Sequence, residues 1–278
     1  MKSKVISFIV LLALYTSCFA QTLDHHGLFD DLKKYKKERG GCHAGHLYEH
    51  MLWVAKSMAQ LYDNNSVWVK NLMQERELMI IAAFMHDIGK AGDLQYLYTT
   101  KPEHPQAGVD YFLKKKQYKL NEQGDVYNFD QWIQKVGLTE NQVTTLVVLI
   151  GMHQEFGLLL RKLRKNPALS HNYYDYFIKR LEHFVVQAGY NNGIPDEKII
   201  RMSCALSRAD FEGMFPVDNM IKDFPDLPDH PQTLQAIPID SVIRVDILGP
   251  IIMELLINHF KTKVYAFKLC KNKKVVIA

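Results

Sequence analysis

Cysteine is scarce in this sequence, with four in 278 residues, which excludes a fold held together by a disulfide framework. One of the four, Cys18, falls in an N-terminal leader. The other three, Cys42, Cys204 and Cys270, allow one bridge and require none. Cys204 lies in the apolar stretch Ile199 to Leu206 and reads as a small buried hydrophobe. Long apolar runs are missing too. The run from Val5 to Tyr15 falls short of the roughly 20 residues that cross a bilayer, and nothing later reads as longer, so no membrane span is expected in the mature chain. Charge of one sign is also lacking: 34 Lys and Arg against 30 Asp and Glu leave +4. That balance creates no field to recruit nucleic acid, and no specific nucleic-acid binding is expected. The basic clusters Lys33 to Arg39, Lys114 to Lys116 and Arg161 to Lys165 are separated and interleaved with acids, as solvated helix faces are. With 47% hydrophobic and 23% charged residues the composition is that of a folded globular protein, and disorder is excluded. A partner must therefore be recognised by a site.

The first twenty residues have the form of an export signal: Lys2 and Lys4, the apolar run, then small residues ending at Ala20 before Gln21. Its removal lowers the net charge to +2 and implies a periplasmic or secreted protein. A lipoprotein anchor at Cys18 is the weaker reading, because Tyr15 stands where such a signal normally has Leu.

The mature chain reads as helical almost throughout, without an internal repeat or a low-complexity linker. Apolar residues recur at helical spacing at Leu47, Met51, Val54, Met58 and Leu61. Glu77 to Met85 forms a second, more buried helix closed by Gly89. Thr139 and Gln142 have the form of a capping box that opens a helix running towards His153. Ser170 is placed to cap the next helix, which Gly189 ends. Pro195 suits the first turn of a helix from Asp196 to about Phe211, and Ile239 to Phe260 reads as a long helix kinked at Gly249-Pro250. The stretches Lys263 to Leu269 and Val275 to Ile277, around Lys271-Asn272-Lys273-Lys274, suggest a β-hairpin. The expected organisation is all-α: a leader over 1–20, one helical domain over 21–262 and a hairpin over 263–278.

Among the twelve histidines, His86 stands out. It is followed directly by Asp87, at the end of an apolar helix, in His86-Asp87-Ile88-Gly89-Lys90. A buried ionisable pair needs compensation, since an unpaired buried charge costs several kcal/mol, and metal coordination supplies it. Adjacent ligands converge on metal if the helix ends there, or if Asp87 bridges two ions about 3.5–4 Å apart.

These residues resemble the HD-domain superfamily of metal-dependent phosphohydrolases, whose outline is a helical His, a later His-Asp pair and a distant Asp. Here the outline reads His50 followed by Val54-Ala55, then His86-Asp87 in a His-Asp-x-Gly-Lys context, then Asp210 in Ser207-Arg208-Ala209-Asp210. His104-Pro105-Gln106-Ala107-Gly108 and Met152-His153-Gln154-Glu155 are similar to the further histidine segments of the two-metal subset. The resemblance covers His46 to Met214. It implies an HD-type helical domain with His50, His86, Asp87 and Asp210 around one ion and Asp87, His104 and His153 around a second. Imidazole and carboxylate together suit Fe, Mn, Zn or Ni. Two such ions would lower the pKa of water from 15.7 to about 7 and give a metal-activated hydroxide. Lys90 would hold a phosphate oxygen as charge develops, and Asp93 would orient water or Lys90. The implied substrate is a phosphomonoester or phosphodiester, nucleotide-like and small.

His46 lies four residues before His50 on the same helical face and competes with it, while the Val-Ala spacing favours His50. Glu155 is expected to accept a hydrogen bond from a coordinated imidazole. His25, His26, His43, His171, His183, His230 and His259 receive no metal role. Gln154 replaces the second histidine of His-His-Glu, and no Gly-Tyr-Pro follows at Phe156-Gly157-Leu158. Both departures argue against the cyclic-di-GMP branch and against a third metal. The longer stretch between His104 and His153 leaves room for an insertion around Asn121 to Phe129. Two other readings use the same ligands: a di-iron oxygenase on the HD fold, and a secreted non-catalytic protein stabilised by metal. Oligomeric state is not legible from the sequence.

Overall fold

The computed structural model describes residues 47–90, 103–113, 129–213 and 239–274. The leader, Cys18, Cys42, His46, Asp93, the segment 121–128 and residues 275–278 lie outside the described residues. Those described are helical, with no strand among them: α1 (Leu47–Asp63), α2 (Arg76–Met85), α3 (His104–Phe112), α4 (Phe129–Val136), α5 (Glu140–Met152), α6 (Glu155–Lys165), α7 (Ser170–Ala188), α8 (Glu197–Gly213) and α9 (Ile239–Lys274). Short 3₁₀ turns join several of them, including Ile88–Lys90 directly after α2.

Each helix follows from its apolar pattern. In α1, Leu47, Met51, Val54, Met58 and Leu61 are all buried, one face of a 3.6-residue repeat. α2 is buried from Leu78 to Met85, as a helix without a polar face must be. α1 packs on α2 and α8, and α5 lies against α3, α2 and α7. The buried apolar side chains form one cluster from Leu47 to Phe260.

Local chemistry sets most boundaries. Thr139 Oγ1 accepts from the Gln142 amide at 3.3 Å while Gln142 Oε1 accepts from the Thr139 amide at 2.9 Å, completing the capping box. Gly189 ends α7 with φ +70°, the left-handed conformation that favours glycine. Ser170 is the first residue of α7 rather than its cap, because the turn Pro167–Leu169 already feeds the chain in with helical geometry. Asp196 caps α8, accepting from the Ile199 amide at 2.9 Å, so Pro195 stands just outside the helix and not in its first turn.

Two expectations need correction. The β-hairpin is absent: residues 263–274 continue α9. Lysine is a good helix former, and Lys271-Asn272-Lys273-Lys274 has no Gly for a tight hairpin turn, so the helix is not interrupted there. Second, Glu140–Lys165 is by length and composition apolar enough to pass for a membrane span. It is two helices that turn at His153-Gln154, and Leu146 to Ile150 and Met152 are buried in the core. α9 runs through Gly249 and Pro250 without ending. Gly249 is required there because the Trp68 ring occupies the space a Cβ would fill.

Candidate metal centre

Five separate helices deliver the expected residues to one place. His50 comes from the first turns of α1, His86 and Asp87 from the end of α2, His104 from the start of α3, His153 from the end of α5 and Asp210 from the last turn of α8. His50, His86, Asp87 and His153 are fully buried, and Asp210 nearly so. Lys90 and His104 are the members that reach solvent, with side chains 24% and 23% exposed.

His86 and His153 are held by the same device. Each follows a methionine at a helix end, and its Nδ1–H donates to the carbonyl three residues back, Ala83 for His86 and Ile150 for His153, both at 2.7 Å. The last carbonyls of a helix have no partner within it, so these bonds satisfy two of them. Because a carbonyl only accepts, Nδ1 must carry the proton, and Nε2 of each neutral ring presents its lone pair to the cluster.

Asp87 divides the cluster in two. Its Oδ2 faces His50 Nε2 at 3.4 Å and His86 Nε2 at 3.5 Å. Its Oδ1 faces His104 Nε2 at 3.2 Å and His153 Nε2 at 3.4 Å. Asp210 Oδ1 closes the first half, 3.1 Å from His50 Nε2 and 3.3 Å from His86 Nε2. Within each half the two imidazole nitrogens are also close, 3.2 Å for His50 and His86 and 3.1 Å for His104 and His153. Lys90 Nζ donates to Asp87 Oδ2 at 2.5 Å.

This arrangement is unfavourable without a cation. Asp87 Oδ1 and Asp210 Oδ1 are buried and face imidazole nitrogens alone among the described residues; wherever those nitrogens present lone pairs the oxygens go unsatisfied, at about 1–3 kcal/mol each. Two carboxylates against one lysine leave an excess negative charge in a closed space. Burial pushes the Asp87 carboxyl up, but Lys90 and His86 outweigh it and hold the group well below the usual range. The Asp210 carboxyl is likewise raised by burial and then held well below that range, chiefly by His86. Burial lowers His50 and His104. Burial also opposes charge on His86, but Asp87 and Asp210 overcome it and raise its pKa.

The donor set fits metal. Nitrogen and oxygen ligands about 2.1 Å from a common ion, at tetrahedral to octahedral angles, stand about 3.0–3.4 Å from one another. The ligand-to-ligand spacings above, from 3.1 to 3.5 Å, lie within or just above that range. His50, His86 and Asp87 form one group of potential ligands, His86, His153 and Asp210 a second, and Asp87, His104 and His153 a third, each with its donor atoms within 4.8 Å.

Glycine makes the second half possible. A Cβ on Gly89 would overlap the His104 carbonyl oxygen, and one on Gly108 would stand 2.7 Å from the Ile150 side chain. Both absences let α3 lie against the Ile88–Lys90 turn and α5, which brings His104 to His153. Ser207 Oγ donates to the His153 carbonyl and fastens the end of α5 to α8.

Some features were not anticipated from the chain. Glu155 Oε1 accepts from Arg180 Nε at 2.8 Å, a guanidinium where the sequence suggests an imidazole. Arg180 itself carries no motif. Arg208, in the Ser-Arg-Ala-Asp segment, is buried and donates through Nε and Nη2 to Asp246 at 2.5 and 3.0 Å, joining α8 to α9. His259 Nε2 meets Asp175 at 2.6 Å, apart from the metal-ligand groups. Cys204, by contrast, is buried as its apolar surroundings lead one to expect, with its thiol pKa pushed well up by burial.

Comparison with known proteins agrees with this geometry. The HD-domain family model matches residues 47–150, a span that contains His50, His86, Asp87 and His104 and stops short of His153 and Asp210. No curated protein and no solved structure matches the chain. Residues 47–150 are thus similar to an HD domain, and the buried His/Asp cluster is of the kind an HD-type metal site uses.

Proposed function

We propose that the protein is a phosphohydrolase that uses two divalent transition-metal ions to cleave a phosphomonoester or phosphodiester, nucleotide-like and small, outside the cytoplasm. One observation carries this reading: the two oxygens of Asp87 each face a separate pair of imidazoles. A carboxylate so placed suits two neighbouring ions, the arrangement that clamps the attacking and leaving oxygens at phosphorus.

His50, His86, Asp210 and Asp87 Oδ2 would hold the first ion, and Asp87 Oδ1, His104 and His153 the second. When bound, the ions supply an activated water and neutralise charge at the phosphoryl group. The chain supplies the rest. Backbone carbonyls at Ala83 and Ile150 fix the tautomers of His86 and His153. Lys90, half-turned to solvent and anchored on Asp87 Oδ2, can swing its ammonium to a substrate oxygen while remaining close enough to keep Asp87 ionised. The partly exposed His104 and the fully buried His50 would put the second ion nearer to solvent than the first. The proposed export rests on the leader sequence.

Elemental analysis of the natively purified chain, with a phosphate-release screen on nucleotides and simple phosphodiesters, tests the proposal. About two ions per chain are expected, with metal-dependent release that Asp87→Asn reduces to background. An unchanged rate in Asp87→Asn, or oxygen consumption in place of phosphate release, would defeat it.

A further inference from the structure

Arg180 joins the two segments that carry His104 and His153. From α7, its Nε donates to Glu155 Oε1 at 2.8 Å, two residues beyond His153, and its Nη2 reaches Glu103 Oε2 at 3.4 Å, the residue before His104. Glu155 is buried, so this ion pair is not an ordinary solvated one. The guanidinium also lies over the Phe184 ring, 5.0 Å from its centre. That ring in turn fills the space beside Gly151, where a Cβ would meet it at 2.5 Å. Two turns further along α7, Gln187 Oε1 accepts from Gln106 Nε2 at 3.2 Å, a second tie to α3. α7 therefore acts as a splint across two elements whose histidines are 49 residues apart and whose Nε2 atoms must stay 3.1 Å from each other.

We infer that Arg180 is a positioning residue that holds His104 and His153 at the separation the second ion requires, so that occupancy of that ion, and not of the first, depends on it. This rests on the two-ion reading above. The contacts of Arg180 fall on the residues that flank His104 and His153, and among the described residues none of them reaches α1, α2 or α8, which carry His50, His86 and Asp210. Arginine suits the task, since its rigid fork presents donors in fixed directions to two carboxylates at once, which lysine cannot do.

The test is a metal titration of the full chain, followed by elemental analysis, for wild type, Arg180→Ala, Arg180→Lys and Glu155→Gln, with far-UV circular dichroism as the check on folding. Wild type is expected to take up two ions. Arg180→Ala is expected to keep the first at unchanged affinity and to bind the second about 10–100-fold more weakly. Glu155→Gln, which keeps the side chain's volume, should shift the second ion in the same direction, and Arg180→Lys should recover part of the loss. Two ions of wild-type affinity in both Arg180→Ala and Glu155→Gln would overturn the clamp while leaving the two-ion reading intact. Equal loss of both ions in a folded variant would overturn its selectivity. A wild-type chain that binds no ion would overturn both proposals.

Discussion

The two halves of the cluster use the same chemistry on different foundations. His50, His86 and Asp210 project from α1, α2 and α8, helices whose apolar faces are pressed together in the core, and their positions are fixed by the same burial that folds the protein. His104 stands on α3, which spans nine residues, and reaches the cluster because Gly89 and Gly108 remove side chains from the contact and because α7 ties it down. Both halves, the inner and the outer, rest on the core, and the outer half adds close glycine contacts and polar ties to α7. The outer half is also the one that meets solvent.

Paired substitutions test this contrast most strongly. Asp210→Asn removes a charged ligand from the inner half and is expected to empty the first ion's position, abolishing phosphate release. His104→Gln is expected to leave one ion bound and to weaken the other by about 10–100-fold or more. Metal content by mass spectrometry distinguishes the two, and equal loss in both variants would erase the distinction between the halves.

A smaller effect follows from Gly89→Ala. The added methyl meets the His104 carbonyl, and overpacking of this kind costs about 1–3 kcal/mol. The expected result is a lowered Tm together with a weakened second ion, while the first is kept. A variant with a wild-type second ion would show that α3 can retreat without consequence.

The smallest effect lies away from the site and serves as its control. α9 is fastened partly by surface pairs, Lys263 to Asp175 at 2.6 Å and Lys261 to Glu197 at 2.5 Å. Lys263 and then His259 hold the Asp175 carboxyl below its usual range, and Lys261 and then Arg201 do the same for Glu197. A carboxyl whose pKa is lowered by folding contributes its stability above its unfolded pKa near 4 and loses it as the pH falls through the folded value. Such exposed pairs contribute about 1 kcal/mol or less. Glu197→Gln should therefore lower Tm by about 2 °C at pH 7, by less in high salt, and by progressively less as the pH falls from about 4 through the lowered folded value, with metal content unchanged throughout. A shift that persists in acid would show that Glu197 acts through packing instead.

How much of this is legible in the chain differs from one feature to the next. The capping box at Thr139, the end of α7 at Gly189 and the apolar face of α1 are local, decided within a few residues, and they stand as read. The hairpin failed because period-two alternation over a few residues also suits a helix, and only continuity with the rest of α9 decides between them. His86 and Asp87 are conspicuous because an ionisable pair at the end of an apolar helix demands a partner. Arg180 and Ser207 are not, since an arginine or serine on an amphipathic helix looks the same whether it faces water or a distant glutamate.

The sequence by itself determined which residue types are available, their order, and the helices that carry them, because helix formation and capping depend on near neighbours. Only the tertiary structure decided that Asp87 turns one oxygen to each pair of histidines, that His86 and His153 share a tautomer, and that a guanidinium spans Glu103 and Glu155. Those facts depend on distances between segments far apart in the chain, and such distances are set by how the helices bury their apolar faces against each other.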